Sequence, residues 1–412
     1  MKGYFTMTGI LKGIKVLEIA NWVAAPSACS MLADLGAEVV KIEHPETGDP
    51  VRSIEVTPDG IITKYTDDEN TSFEQLNRGK KSIGINLAHK SGQLIVQKLA
   101  AEVDILVTNL VPERQGKYKL RYEDVQETNP KLIYVTLTGY GVKGEEKDRL
   151  GFDYAAFWAR SGIMSSIGNS VGPPAQQRPG MGDQVTSLSL TTAIGLALFD
   201  REKTGKGQKI ECSLLQTGLW VLGLDFAAAK KHKAPVKRHS HNTANNPLSN
   251  YYKTKNEKWI QLVMFDSDRF WPGFCKAMDI QNLGEPSNHH TASGRKENSE
   301  ALIKDLQEKF ASQPIEFWGD RLDQENCIWA PIQTLDEVIV DPQIEANEYT
   351  SIIKDSHENS VEVLNIPIKF NGASINPLIG APVLGQDTET KLLEIGFSWE
   401  DISKFKDQGA II

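Results

Sequence analysis

The first third of the chain alternates apolar runs with helical patterns, and this alternation constrains the fold more than any other feature. Residues 14–20 are typical of a buried strand, residues 26–35 of a helix ended by Gly36, and residues 38–43 of a second strand. Two strands joined by one helix predict a parallel βαβ unit. The pattern repeats as a helix over 91–101, a strand over 104–108, a helix over 122–128 and a strand over 132–138. We therefore expect an α/β fold with a Rossmann-like parallel sheet and helices on both faces.

The loop after the first predicted strand lacks the glycines of a dinucleotide-binding turn. Residues 21–26 are NWVAAP, where a G-x-G-x-x-G fingerprint would otherwise stand. Those glycines normally let the backbone approach a pyrophosphate closely, so we do not expect NAD to bind in the usual manner.

The remaining sequence predicts a second, smaller domain inserted into the first. A helix over 183–203, a strand over 208–213 and a helix over 214–231 precede a basic stretch at 230–241, which we interpret as a solvated linker. Antiparallel strands at 251–253 and 259–264 and a helix at 269–278 follow. A strand pattern at 366–370 and a helix pattern at 384–396 then resemble the first domain again. The predicted domains are a first part of a large domain (1–225), a linker (226–245), a small α+β domain (246–337) and a segment that returns to the large domain (338–412).

Composition excludes several classes of protein. The 412 residues carry a net charge of −9, which argues against a nucleic acid or an anionic membrane as partner. The four cysteines have no CxxC spacing and no matched histidines, so we expect neither disulfides nor a metal site. No signal peptide and no apolar run of membrane-spanning length is evident, and we expect a soluble, cytoplasmic protein. The sequence also lacks H-E-x-x-H, the signature of common zinc proteases.

Asp183 is the acid that stands out. It follows Pro179, Gly180 and Gly182 and opens a long helical pattern, where an aspartate is expected to cap a helix N-terminus. Capping alone would explain an aspartate here, and a reactive carboxylate is the alternative. Asp153, in the sequence GFDY, is the second acid flanked by glycine and aromatic residues instead of by solvating charge.

An ordered set of segments resembles the class III CoA-transferases, the CaiB/BaiF family that includes formyl-CoA transferase. The segments are LKGIKVLEIANWVAAPSACSMLADLGAEVVKIE, LNRGKKSIGINL, DILVTN, TGYG, GFDYAAFWARSG, PGMGDQ, REKTGKGQKI and GAPVLGQDT. Each segment alone is modest, whereas their order from Leu11 to about Gly396 is specific. The phrase GYGVKGEEKDRLGFDYAAFWARSG is most similar to the branch that acts on 2-hydroxy and aryl-substituted acids.

The resemblance implies that Asp183 is the nucleophile of a CoA-transferase. Its carboxylate would form an anhydride with the donor acyl group and then an aspartyl-CoA thioester, which the acceptor acid reverses. Coenzyme A and acyl-CoA would be substrates, with no tightly bound cofactor, no metal, and a carboxylic acid as the other substrate. The family also implies a homodimer whose chains interlock.

The same resemblance implies further site residues. The positions that match CoA contacts of the family are Val23, Ala24, His44, Asn109, Lys117, Tyr118 and Tyr140. Arg78, Lys80 and Lys81 add a basic cluster that could meet phosphates, although surface lysines are usually only solvated. The expected acid pocket comprises Trp22, Phe152, Asp153 and Gly182, while Tyr154, Phe157 and Trp158 suit either that pocket or the core.

Two positions depart from formyl-CoA transferase. His44 stands where that enzyme has an arginine, which predicts a weaker phosphate or adenine contact. Residues 241–250 (HNTANNPLSN) occupy the region of its glycine-rich lid, so the shielding of an anhydride from water is not explained.

Two other functions compete with the transferase. An α-methylacyl-CoA racemase shares the expected fold, but the histidine that it uses as a base is replaced by Phe152, whose phenyl ring accepts no proton. A non-catalytic CoA-binding protein would have no need for both the glycine turn and Asp183. The transferase is therefore the function that we predict.

Overall fold

The computed structural model describes residues 9–63, 70–280, 288–377 and 379–412. These residues belong to two compact units. The first unit contains the chain up to Met164, Gln176–Ala234 and Glu345–Ile412, and the second contains Ser165–Ala175 and Pro235–Ile344. Among the described residues, every helix is either too short or too polar to span a lipid bilayer.

The first unit is built on a parallel sheet. The elements up to residue 234 are β1 (Lys15–Ile19), α1 (Ala24–Asp34), β2 (Glu38–Glu43), β3 (Ile54–Thr57), β4 (Gly60–Thr63), α2 (Thr71–Asn77), β5 (Lys81–Gly84), α3 (Lys90–Glu102), β6 (Ile105–Thr108), α4 (Pro112–Lys117), α5 (Tyr122–Val125), β7 (Ile133–Thr138), α6 (Ile163–Ser166), α7 (Met181–Thr204), β8 (Gln208–Ser213), α8 (Leu214–Val221) and α9 (Gly223–His232). Six parallel strands pair in the order β5-β2-β1-β6-β7-β8, with Leu17 of β1 between Val40 and Leu106. The predicted α/β class and parallel sheet are confirmed.

The central strands are apolar because both faces of the sheet are covered. All six residues of β7 are buried, as expected for a parallel strand between two helical layers. One apolar core lies on the side of α1 and α7 and contains Leu32 and Leu190. The other contains Ile95 of α3. The strand β5, which the sequence analysis did not predict, pairs with β2 at one edge of the sheet.

The second unit has a small antiparallel sheet with helices. Its elements from residue 251 are β9 (Tyr251–Lys253), β10 (Trp259–Leu262), α10 (Ser267–Met278), α11 (Ala292–Glu297), α12 (Ser299–Phe310), α13 (Ile315–Gln324), β11 (Trp329–Ile332) and α14 (Leu335–Ile339). Its three strands pair in the order β11-β10-β9. The two antiparallel strands and the helix predicted here are therefore present. The helix α9 extends into the segment 226–245 that was predicted to be a linker, and the predicted helix over 214–231 is divided at Leu222.

The C-terminal segment completes the core of the first unit. It contains α15 (Pro342–Ala346), β12 (Thr350–Lys354), β13 (Ser360–Leu364), β14 (Lys369–Phe370), β15 (Ala373–Ser374), α16 (Thr388–Glu394) and α17 (Trp399–Asp407). Leu392 and Ile402 enter the same apolar core as Ile95. Asp387 accepts a hydrogen bond from the backbone N–H of Ser82 at 2.9 Å, so this segment covers the edge strand β5. The predicted strand at 366–370 is reduced to the two residues of β14.

The packing of α16 predicts the effect of a cavity on stability. Leu392 is 1% exposed, and Leu392→Ala should lower the free energy of unfolding by about 2–5 kcal/mol because the surrounding core cannot collapse fully. Urea denaturation at a fixed protein concentration measures this loss. The matched control Leu94→Ala changes a leucine of α3 that is 55% exposed and should cost less than about 1 kcal/mol. Equal losses in the two variants would contradict the docking of the C-terminal segment.

Candidate active site

Asp183 lies in the first turn of α7. This helix begins at Met181, and its N-cap is Gly180, whose φ of 73° is in the left-handed region that favours glycine. Asp183 is therefore the third residue of the helix, and no hydrogen bond from a described residue to its carboxylate is present. The prediction that Asp183 caps the helix is wrong, because the glycine turn starts the helix before the aspartate is reached.

Asp153 takes the capping role. It begins a short π-helical segment, Asp153–Ala159, and its Oδ1 accepts a hydrogen bond from the backbone N–H of Gly182 at 3.1 Å. This N–H is one of the free donors at the start of α7. A β-carbon at position 182 would overlap the ring of Phe157 and the carboxylate of Asp153, so only glycine fits here. The expected group of Asp153, Gly182 and Asp183 is thus brought together, with Asp153 buried.

The two carboxyl groups are hard to ionise together. Burial, and to a smaller extent the neighbouring carboxylate of Asp153, raises the pKa of Asp183 from 3.8 to about 7. Burial also raises the pKa of Asp153 to about 6, although the N–H groups of Gly182 and Gly180 and the side chain of Trp158 favour its charged form. Desolvation and the second carboxylate thus raise the pKa of Asp183 even though it lies in the first turn of α7, at the positive end of the helix.

Asp183 faces a cleft at the carboxyl ends of the sheet strands. The loop after β1, the loop after β6 and the end of β7 meet there, which is where open parallel sheets bind ligands. The volume of the cleft is about 140 Å³. Its lining residues are Asn21, Trp22, Val23, Ala24, Asn109, Leu110, Val111, Arg114, Leu137, Thr138, Gly139, Arg149, Leu150, Gly151, Phe152, Asp183 and Leu214.

Six of the predicted site residues line this cleft. They are Trp22, Val23, Ala24, Asn109, Phe152 and Asp183. The amide of Asn109 is already occupied, because its Nδ2 donates to the carbonyl of Asn21 at 2.7 Å and its Oδ1 accepts from the N–H of Asn21. Asn109 therefore shapes the loop after β1 as well as the cleft.

Four predicted CoA contacts lie outside the cleft lining. His44 is exposed, and its Nδ1 accepts from the backbone N–H of Glu46 at 3.3 Å. The ammonium group of Lys117 lies 5.8 Å from the ring centre of Tyr118. Tyr140 packs against the core beside α1 and α7 and lies beneath the guanidinium group of Arg149.

The basic cluster predicted to meet phosphates is wrong for two of its three members. Arg78 is buried and pairs with Asp34 at 2.8 Å, while Lys80 is buried and pairs with Glu18 at 2.7 Å. Their charges are therefore neutralised inside the protein. Lys81 is partly exposed and pairs with Glu38.

The cleft also contains cations that the sequence analysis did not single out. Arg114 of α4 and Arg149, just before the GFDY sequence, both line it and are exposed. Arg149 pairs with Glu146, which also binds Arg160 at 2.8 Å. The position of Arg149 three residues before Phe152 was the signal available in the sequence.

The aromatic residues near Asp153 divide between the cleft and the core. Phe152 is 50% exposed and packs edge-to-face against Trp22, with ring centres 5.1 Å apart. Phe157 and Trp158 are buried in the core beside α7. The core interpretation therefore holds for these two. Among the described residues, no group of three His, Cys, Asp or Glu side chains is arranged to hold a metal ion.

The raised pKa of Asp183 predicts a pH-dependent stability. Because the folded protein keeps this proton to about pH 7 while the unfolded chain loses it near pH 4, the stability that protonation contributes declines between these values. Asp183→Asn stays neutral, so at pH 8 it should be more stable than the wild type by on the order of 1–2 kcal/mol, after allowance for partial exposure. The gain should be smaller at pH 5 in thermal unfolding. The exposed first-turn Asp336→Asn should show no such trend, and a pH-independent gain for Asp183→Asn would contradict the prediction.

Comparison with known proteins places these features in a family. The profile of "CoA-transferase family III" matches residues 11–388. The chain is 32% identical over 405 residues to (R)-2-hydroxy-4-methylpentanoate CoA-transferase of Clostridioides difficile, covering 98% of this chain and 99% of that protein. It is 31% identical to cinnamoyl-CoA:phenyllactate CoA-transferase of Clostridium sporogenes, covering 98% of both chains. A CaiB/BaiF family crystal structure from Brucella suis aligns with a TM-score of 0.80 and 27% identity, covering 94% of this chain and 100% of that one. The chain therefore belongs to CoA-transferase family III and is a CoA-transferase.

Proposed function

We propose that this enzyme transfers CoA to a carboxylic acid through covalent intermediates on Asp183. The ionised carboxylate attacks the carbonyl carbon of the donor thioester, which gives an anhydride and releases CoA thiolate. The thiolate attacks the Asp183 carbonyl, which forms an aspartyl-CoA thioester and releases the donor acid. The acceptor carboxylate then repeats the two steps in reverse and regenerates Asp183.

The observation that carries this proposal is the state of Asp183 in the cleft. Its carboxyl group faces the cleft, accepts no hydrogen bond from a described residue, and has its pKa raised to about 7 by burial and by Asp153. A carboxylate of higher pKa is a stronger nucleophile, and one near neutrality is still ionised in a large fraction of molecules. The first turn of α7 favours the negative charge that develops in the transition state.

We further propose that the acceptor is a 2-hydroxy acid with an aryl or branched apolar side chain. The exposed ring of Phe152 and the ring of Trp22 offer apolar surface beside Asp183. The names of the relatives from C. difficile and C. sporogenes refer to such acids. The hydrogen bond between Gly182 and Asp153 would hold the first turn of α7, which carries the nucleophile.

The thiol end of CoA would enter the same cleft. The cleft has a volume of about 140 Å³. Pockets that enclose a drug-sized ligand usually measure about 300 Å³ or more, so the nucleotide part of CoA would extend beyond the cleft. Val23, Ala24 and Asn109 would contact the thiol end, and Arg114 and Arg149 offer positive charge. His44, Lys117, Tyr118 and Tyr140 stay candidates for the outer part of CoA, which is a substrate and not a resident cofactor.

We also propose an interlocked homodimer in the cytoplasm. Trp220 and Leu224 are 85% and 90% exposed, and α9 has no buried residue in the single chain, so these helices suit a partner copy. The four cysteines are free thiols, which suits a reducing compartment.

The nucleophile is tested by substitution. Asp183→Ala should lower kcat for CoA transfer by at least about 1,000-fold, since it removes the carboxylate that forms the anhydride. The matched control Asp336→Ala, also in the first turn of a helix, should keep wild-type activity. Full transfer by Asp183→Ala would contradict the proposal. Exchange of deuterium into the α-carbon of a 2-methylacyl-CoA without an acceptor would instead favour a racemase.

The dimer is tested by its mass. Light scattering after size exclusion should give about twice the single-chain mass of 45.7 kDa. Leu224→Glu should shift the protein toward lower mass, while Leu94→Glu, on the exposed side of α3, should not. A wild-type mass of one chain at all concentrations would exclude the dimer.

A further inference from the structure

The loop between β1 and α1 is held in place by three side chains. Lys41 Nζ donates to the carbonyl of Ala20 at 2.7 Å. Asn109 binds the carbonyl and the N–H of Asn21 at 2.7 and 3.2 Å. Asp49 Oδ1 accepts from the N–H of Trp22 at 3.2 Å. The loop that carries Trp22 into the cleft is therefore held at Ala20, Asn21 and Trp22.

Trp22 adopts a backbone conformation that its side chain disfavours. Its φ is 72°, in the left-handed region that bulky residues rarely occupy. Such a conformation persists only where its surroundings hold it, and it is concentrated at functional sites. The hydrogen bond from the Trp22 N–H to Asp49 is the contact made at the strained residue itself.

Asp49 is itself held by an ion pair and by hydrogen bonds to its neighbours. Its Oδ2 lies 2.8 Å from Nζ of Lys41, its N–H donates to Glu43 at 2.9 Å, and its Oδ1 also accepts from the N–H of Val51. Asp49 and Lys41 are fully buried, so water cannot take the place of either partner unless the core opens. Asp49 thus connects Lys41 of β2 to the backbone of Trp22 and fixes the position of the loop relative to the sheet.

The consequence of this anchoring is the position of the Trp22 ring. The ring meets Phe152 edge-to-face at 89°, and both residues line the cleft beside Asp183. On its other side Trp22 packs against the small apolar cluster that contains Val51 and Phe73. If Trp22 relaxed to an ordinary φ, its ring would leave Phe152 and the wall of the cleft would change shape.

We propose that Asp49 is a positioning residue that fixes Trp22 against Phe152 and thereby sets the preference of the enzyme for bulky apolar acids. Asp49 touches neither substrate, and its effect reaches the acid through Trp22. This inference rests on the proposed function, because it concerns which acceptor reaches Asp183.

The test compares acid preference in Asp49→Asn and in a matched control. An amide has one acceptor oxygen, so it cannot satisfy Lys41 on one side and the N–H groups of Trp22 and Val51 on the other. Asp34→Asn makes the same change in a buried carboxylate that pairs with Arg78 and does not contact Trp22. The readout is kcat/KM for 4-methyl-2-hydroxypentanoate divided by kcat/KM for lactate, with one acyl-CoA donor.

In Asp49→Asn this ratio should fall at least about tenfold, mainly through a higher KM for the bulky acid, because an isobutyl group gains its binding from the apolar wall. Asp34→Asn should keep the ratio within about twofold, even if it lowers the melting temperature. An unchanged ratio in a folded Asp49→Asn enzyme would overturn the inference while leaving the proposed function intact. A wild-type enzyme that transfers CoA to no acid would overturn both.

Trp22→Gly provides an independent variant that should fold, since glycine tolerates the left-handed conformation. It should lose the preference for the bulky acid by a similar factor. Adding Asp49→Asn to Trp22→Gly should then change the ratio no further, because the residue that Asp49 positions is gone. A wild-type preference in Trp22→Gly, or a further large loss in the double variant, would overturn the inference.

Discussion

The loop that carries Trp22 into the cleft depends on the buried ammonium group of Lys41, which binds the carbonyl of Ala20 and the carboxylate of Asp49. Burial alone would lower the pKa of Lys41, but Asp49, Glu18 and Glu43 outweigh this effect and raise it, so the lysine stays charged inside the protein. Lys41 binds Glu18 of β1 at 2.7 Å and Asp49 at 2.8 Å, and Glu18 in turn binds Lys80. Removing one member would leave an uncompensated buried charge, which is far more costly than never having the pair. The network thus joins β1, β2 and the loop that leads to the cleft.

Two carboxyl groups, those of Asp153 and Asp183, lie close together at the start of α7. Asp153 caps the start of α7 through Gly182, and its charge, together with burial, keeps the pKa of Asp183 near 7. The nearby carboxylate of Asp153 therefore disfavours the ionised form of Asp183. The capping role therefore falls to Asp153, whereas the sequence predicted that Asp183, the nucleophile that we propose, would cap the helix.

Much of the first unit could be predicted from sequence because buried parallel strands are continuous apolar runs. Five of the six strands were predicted in this way, and β5 was missed because KSIG is short and polar at its start. The glycine turn before Asp183 was recognised in the sequence. The left-handed φ of Gly180 decides where α7 begins, and this angle is set by tertiary structure. Arg78 and Lys80 were assigned to the surface, since lysine and arginine are rarely buried unless paired. Glu18, the partner of Lys80, lies 62 residues away in sequence, and only the fold brings them together.

Covalent participation of Asp183 is tested most directly by oxygen transfer. In a single turnover with an acceptor acid labelled with ¹⁸O in its carboxylate, the anhydride route leaves one labelled oxygen on Asp183. Peptide mass spectrometry should then show an increase of about 2 Da at Asp183, dependent on the acyl-CoA donor. Acyl-CoA product formed with no label on Asp183, or with the label on another residue, would contradict the mechanism.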